Sequence, residues 1–124
     1  DITRIEESVK AAIAPLDISK NIYFNRPKAS MSVNDFVVIR VGGNISDKHT
    51  YGECVVYIDL FAKDANSLKN GKKLSAMYQK FAKGFPASIE NLLFDTEPTI
   101  MGDTPDDYGY HARIIRIKTT IKAI

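Results

Sequence analysis

A chain of 124 residues with 44% apolar and 26% charged side chains fits one domain with a buried core and excludes a disordered polymer. A formal net charge of +2 is too small to imply nucleic-acid binding by itself, and the single cysteine, Cys54, excludes an internal disulfide framework. No apolar run approaches the length of a membrane-spanning helix, so no membrane role is expected.

The first element reads as a helix. Thr3-Arg-Ile-Glu6 has the form of a capping box, in which side chains satisfy the orphan amides of a helix start. Ile5, Val9, Ala12, Ile13 and Leu16 recur at helical spacing as one apolar stripe, and Pro15 should end or kink the helix at about Ala14. Asp1 to Lys10 is charged and helical rather than a signal peptide, although the chain lacks an initial Met, which leaves an upstream segment open.

Strands follow. Asn21 to Asn25 reads as a short one before a turn at Pro27, and Asp35 to Val41 as a second, broken by Gly42-Gly43-Asn44. Gly42 to Thr50 is a polar loop, long for a hairpin. From Tyr51 to Ala62 the third strand places Cys54, Val56, Ile58, Leu60 and Ala62 on one apolar face. Its other face is half polar, with Glu53, Tyr57 and Asp59 beside Val55 and Phe61, so helices should cover only one side of the sheet. Cys54 then reads as a small buried hydrophobe rather than a nucleophile.

The third strand runs almost directly into a second amphipathic helix. Asp64 or Asn66 would cap it, Leu68, Leu74, Met77, Tyr78, Phe81 and Phe85 form its apolar side, and Gly84 before Phe85-Pro86 stops it. Asn91 to Phe94 is a candidate short strand, Asp95 to Tyr108 an acidic loop, and Tyr110 to Ile121 the last strand. That strand has Ile115, Ile117 and Ile121 on one face and Arg116, Lys118 and Lys122 on the other. The expected architecture is a single α+β domain over 1–124: a mainly antiparallel sheet of about four to five strands with two helices packed on one face.

Chemistry is sparse along the chain. His49 and His111 lack a nucleophile or carboxylate at a motif spacing, and there is no nucleophile elbow, phosphate loop or dinucleotide fingerprint, so no enzymatic activity and no catalytic residue are expected. Asp95, Glu97, Asp103, Asp106 and Asp107 crowd one segment, but without the ligand spacing of a calcium loop they read as a solvated acidic surface, with no metal expected. Lys69, Lys72, Lys73, Lys80 and Lys83 would share one face of the second helix, opposite its apolar side. Lysines are ordinary on exposed helix faces, and no aromatics interleave them for single-strand stacking. In identical subunits meeting head to tail, this basic face could meet the acidic residues Asp103, Asp106 and Asp107 of a neighbour, unless the two sets pair within one chain. Tyr51, Tyr57, Tyr108 and Tyr110 lie at or near strand ends, where tyrosine serves interfaces and sheets equally well.

This layout resembles the small tail-terminator, tail-completion and head–tail joining proteins of long-tailed bacteriophages and prophages. The likeness rests on the N-terminal helix from Ile5 to Ala14, then the strand ending Val-Tyr-Ile-Asp-Leu-Phe-Ala62. It continues through the stretch Lys72-Lys73-Leu74-Ser-Ala-Met-Tyr78 and the late strand Ile114 to Ile121. The resemblance implies an α+β subunit of a hexameric ring that caps the tail tube, meets the head connector and lets DNA pass without reading its sequence. It implies neither cofactor nor catalysis, and assembly in the host cytoplasm before incorporation in the virion tail. It transfers no site residue. A different class of reading is a small binding module that recognises a protein or nucleic acid through the basic helix face or a sheet edge.

Overall fold

The computed structural model describes residues 2–26, 32–42, 46–47, 51–85, 88–89, 92–94 and 98–122. The order is α1 (Ile2–Ile13), a 3₁₀ turn (Ala14–Leu16), β1 (Ile22–Tyr23), β2 (Asp35–Val41), β3 (Ser46–Asp47), β4 (Tyr51–Lys63), α2 (Gly71–Gly84), β5 (Ser88–Ile89), β6 (Leu92–Phe94), β7 (Thr99–Pro105) and β8 (Tyr110–Lys122). The fold is α+β, as the patterning predicts, with both helices on one face of a mixed sheet. Among the described residues eight segments share the sheet. Three of them, β1, β3 and β5, are only two residues long, which leaves five longer strands.

The spine is the antiparallel ladder of β4 and β8, each 13 residues long. Neither flank of this ladder is covered by a single strand. At one end the row Ile22, Val37, Leu60, Arg113, Asp103 crosses β1, β2, β4, β8 and β7. At the other end the row Ser46, Glu53, Thr120, Leu93, Ser88 crosses β3, β4, β8, β6 and β5. Pairing is antiparallel except between β1 and β2. A long two-stranded core with forked flanks gives the first half of the sheet two outer edges, β1 and β7, about 19 Å apart at normal strand spacing.

The alternation along β4 decides which face is covered. Cys54, Val56, Ile58, Leu60 and Ala62 are buried, with Val37 and Ile39 of β2 and Ile115 and Ile117 of β8, beneath both helices. From α1 come Ile5, Val9 and Ile13, one stripe at four-residue spacing; from α2 come Leu74, Met77 and Phe81. Phe81 stacks on Phe85, with centroids 4.3 Å apart, and Phe85 reaches Phe94 at 5.2 Å. Fully burying such side chains contributes roughly 1.5–3 kcal/mol each before conformational entropy is subtracted. The helix ends meet at Gly84: a side chain there would force the Leu16 side chain of the 3₁₀ turn to shift.

The opposite face is not bare. Phe36, Val38, Phe61, Tyr110 and Ala112 form a second, smaller cluster. Phe36 and Phe61 stack at 4.4 Å and Tyr110 meets Phe36 edge-on at 5.2 Å, the geometries that the ring quadrupole favours.

Several local expectations are revised. Thr3 lies inside α1, which starts at Ile2, so it is not the cap of that helix. Pro15 does end α1, through the 3₁₀ turn and Asp17 in the left-handed region at φ 56°. The strand expected over Asn21 to Asn25 is only Ile22–Tyr23, and the loop Gly42 to Thr50 contains β3. The turn expected at Pro27 lies outside the described residues. Neither Asp64 nor Asn66 caps α2. Asp64 is spent on His111, Oδ1 to Nδ1 2.7 Å, and Asn66 and Ser67 take φ of 53° and 63° in a tight turn closed by Ala65 and Leu68. Leu68 therefore sits outside the helix, and Asn70 is the cap, its Oδ1 accepting from Lys73 N at 3.1 Å.

The largest revision concerns the acidic loop. Thr99 to Pro105 is strand β7, paired antiparallel with β8 across a bulge between Ile100 and Asp103, where Gly102 adopts φ +95°. It shows no alternation because it lies at an edge with both faces largely exposed. Its register comes from β8 and from the Asp106 turn rather than from its own pattern.

Candidate assembly surface

Of the charged residues singled out in the sequence, Lys69, Asp103, Asp106 and Asp107 lie at the β7 side of the sheet. Asp103 receives a two-point contact from Arg113, Nε to Oδ1 2.8 Å and Nη2 to Oδ2 3.0 Å, while Lys69 Nζ adds a third at 3.2 Å. The guanidinium of Arg113, with help from Lys69 and against the opposing effect of burial, holds the Asp103 carboxyl below its usual range. Arg113 also donates to Ser75 Oγ of α2 at 3.2 Å, so this one residue ties β7, β8 and the helix together.

Asp106 organises the turn between β7 and β8. Its Oδ1 accepts from the backbone amides of Tyr108 at 2.8 Å and Tyr110 at 3.0 Å, the pattern of an Asx turn. Its Oδ2 accepts from Arg26 Nε at 3.2 Å and Nη2 at 2.8 Å. Burial pushes the Asp106 carboxyl upward, but Arg26 and the two amides more than offset it, and the net displacement is downward. Arg26 is sandwiched as well as paired. Its guanidinium carbon lies 4.8 to 5.5 Å from the ring centres of Phe36, Phe61, Tyr108 and Tyr110. Tyr110 Oη donates to Val33 O at 2.6 Å, so the stretch before β2 is also fixed to this turn.

The five lysines do not form one free stripe. Lys69 precedes α2, Lys73 pairs with Asp35 at 2.8 Å, and Lys80 donates to the Asp17 carbonyl at 3.1 Å. Among the described residues, Lys72 and Lys83 are exposed and without an ion-pair partner, as is Asp107 in the β7–β8 turn. The structure brings Lys69 and Asp103 together inside one chain, whereas Lys73 and Asp106 hold other partners. Head-to-tail pairing of the full basic face with Asp103 and Asp106 thus loses its motive.

Sequence reasoning missed three features. Arg26 binds Asp106 from 80 positions away, and Arg113 reads only as a polar residue at the start of a strand. The third is on the open face, where Arg40 Nε and Nη2 contact the buried carboxylate of Asp59 at 2.6 and 3.0 Å and the guanidinium stands 4.4 Å from the Tyr57 ring centre. Arg40 and Asp59 sit on neighbouring strands, so their pairing follows from register, which one sequence does not specify. The Cys54 thiol is raised by burial, consistent with an inert core position.

Among the described residues, no group of three or more His, Cys, Asp or Glu side chains could hold a metal ion. His49, Asp95 and Glu97 lie outside them. A shallow groove of about 380 Å³ is lined by Arg4, Glu7, Ser8 and Ala11, all on α1. No described helix is long and apolar enough to cross a membrane. What the β7 side offers is shape and apolar area. Of the five large apolar side chains that are exposed among the described residues, four lie there: Leu68, Ile100, Met101 and Tyr108.

No family model matches the sequence, and no curated protein matches it. Several solved structures share the architecture, among them two that cover 98% or more of this chain. One, which carries no functional name, has a TM-score of 0.63 at 10% identity, with 100% of this chain and 97% of that chain covered. The other is a chain in the virion of a native gene transfer agent particle, with a TM-score of 0.62 at 9% identity and 98% of both chains covered. At these identities the likeness establishes the shared α+β fold and assigns no role to any residue.

Proposed function

We propose that this chain is a structural protein of a phage-like virion, acting as a ring-forming tail terminator or a related head–tail joining subunit. The observation that carries this reading is the match with a gene transfer agent virion chain, which covers 98% of each chain. The same class was indicated independently by the order of elements, the long strand leading to a lysine-rich helix above all.

In this role the chain assembles in the producing cell. It forms a hexameric ring on the tail tube, meets the head connector and leaves an opening for DNA without reading its sequence. It works by contact rather than chemistry and uses no cofactor. The internal satisfaction of Asp103, Asp106, Asp59 and Asp35 supports such a role, because a ring subunit must present a fixed surface to its neighbours. Light scattering on a size-exclusion column, followed by negative-stain microscopy, tests the reading. A discrete hexameric annulus is expected. A strict 13.8 kDa monomer at every protein and salt concentration would overturn it.

A further inference from the structure

The β7 edge is the part of the described surface least explained by the fold. Leu68 is 70% exposed, Met101 54%, Ile100 46% and Tyr108 38%. Lys69, bonded to Asp103, brings the turn that carries Leu68 next to β7, the strand that carries Ile100 and Met101, while Tyr108 stands beside Arg26 in the turn that follows. The acids around them are matched within the chain by Arg113, Lys69 and Arg26, which leaves an apolar centre with little net charge. That composition, rich in Met and Tyr and poor in unpaired charge, is that of an interface core. The bulge and Pro105 interrupt the outer ladder, so a partner would pack on side chains rather than add a continuous strand.

The other outer edge of the same half-sheet is its complement. Ile22, Tyr23 and Phe24 are half-buried there. Lys20 is exposed beside them and Lys10 lies 5.8 Å over the Phe24 ring. Among the described residues neither lysine has an ion-pair partner, and on the β7 side the exposed Asp107 has none. One edge therefore offers apolar side chains beside a free anion, and the opposite edge offers apolar side chains beside free cations.

We propose that the β7 edge of one copy docks against the β1 edge of the next, with Ile100, Met101 and Leu68 facing Ile22 to Phe24 and Asp107 facing Lys20. The contact is heterologous, joining two different surfaces, and such contacts propagate into a ring when the rotation closes. This inference rests on the self-assembling reading above and names the surfaces that reading needs.

Sedimentation of the full chain tests it with four variants: Ile100→Lys with Met101→Lys, Asp107→Lys, Lys20→Asp, and the two charge reversals combined. All four change exposed side chains, and circular dichroism verifies folding. The double lysine variant should sediment at 13.8 kDa where the wild type is oligomeric. Each single reversal should weaken association about tenfold, and the combined reversal should restore most of it. A double lysine variant that keeps the wild-type oligomer overturns the edge contact and leaves the ring reading standing. Failure of the combined reversal to rescue overturns β1 as the counterpart. A wild type that never associates overturns both.

Discussion

Replacing Arg26 by Met removes the charge that ties the stretch before β2 to the β7–β8 turn and keeps most of the apolar stem. The wild-type pair is mostly buried, with side chains 20% and 17% exposed. Removing one member of a buried pair costs about 3–5 kcal/mol, because the other charge is left without its partner. Here the cost is smaller, since Asp106 keeps two backbone donors on Oδ1 and some access to water. A loss of roughly 2 kcal/mol from the ion pair is reasonable on that scale. The guanidinium also leaves four aromatic rings, which adds about 1 kcal/mol at partly desolvated positions. The expected total is about 3 kcal/mol. For 124 residues, an unfolding entropy near 2.1 cal/mol/K per residue turns this into a fall in Tm of roughly 10 °C. Thermal and urea melts followed by circular dichroism measure it. A double-mutant cycle with Asp106→Asn, which retains an acceptor for the turn amides, isolates the pair and should give a coupling above about 1 kcal/mol. A melt within about 2 °C of wild type, or a coupling near zero, refutes the claim that this pair anchors the turn.

Asn70→Ala should cost about 1 kcal/mol, read as a lower urea midpoint at unchanged slope, because the Lys73 amide loses its acceptor at the start of α2. Gly84→Ala should cost about 1–3 kcal/mol in the same assay, despite alanine's better helix propensity, because the new methyl group displaces Leu16. Stability should fall in acid. Asp103, Asp106 and Asp35 all titrate below the ordinary 3.8 in the folded chain, so the unfolded chain binds the extra protons first. Their contribution is fully present above the unfolded value and is lost as pH falls through 3.8 toward the lower folded values; urea midpoints that stay flat down to about pH 3 would contradict it.

Much of the fold was legible because one face of each long element is buried. Cys54, Val56, Ile58, Leu60 and Ala62 stand out because α1 and α2 cover every second residue of β4, even though Asp59 and Phe61 are buried on the other face, and the bounds Asp35 to Val41 coincide with β2 because its apolar run is flanked by Asn34 and Gly42. The stop at Gly84 was equally plain. The start of α2 was not. Asp64, Asn66 and Asn70 are all good caps by composition, and the choice is made by the distant His111, which takes the Asp64 side chain, and by Gly109, whose carbonyl accepts from the Asp64 amide at 2.9 Å. β7 was hidden for the opposite reason to β4. A strand exposed on both faces carries no periodic signal, and its pairing is written in β8.

The same logic separates what sequence shows about the surface from what it conceals. A row of lysines and a cluster of aspartates are visible as charges, but their availability depends on long-range neighbours. Lys73 is matched by Asp35, Lys69 by Asp103 and Asp106 by Arg26, each through contacts that no local spacing encodes. Once these are matched, they are not the charges on which the proposed contact between copies would chiefly rest. Breaking an internal pair to make an external one would leave a partly buried group uncompensated. What remains free at the β7 side is apolar, at Leu68, Ile100 and Met101, with Asp107 as the one unmatched acid among the described residues there. In the proposed assembly the internal ion pairs would act indirectly. By fixing the bulged strand and its turn, they would hold the proposed β7 docking edge in place, so Arg26 and Asp103, though not themselves placed at the contact, would belong to its physical basis.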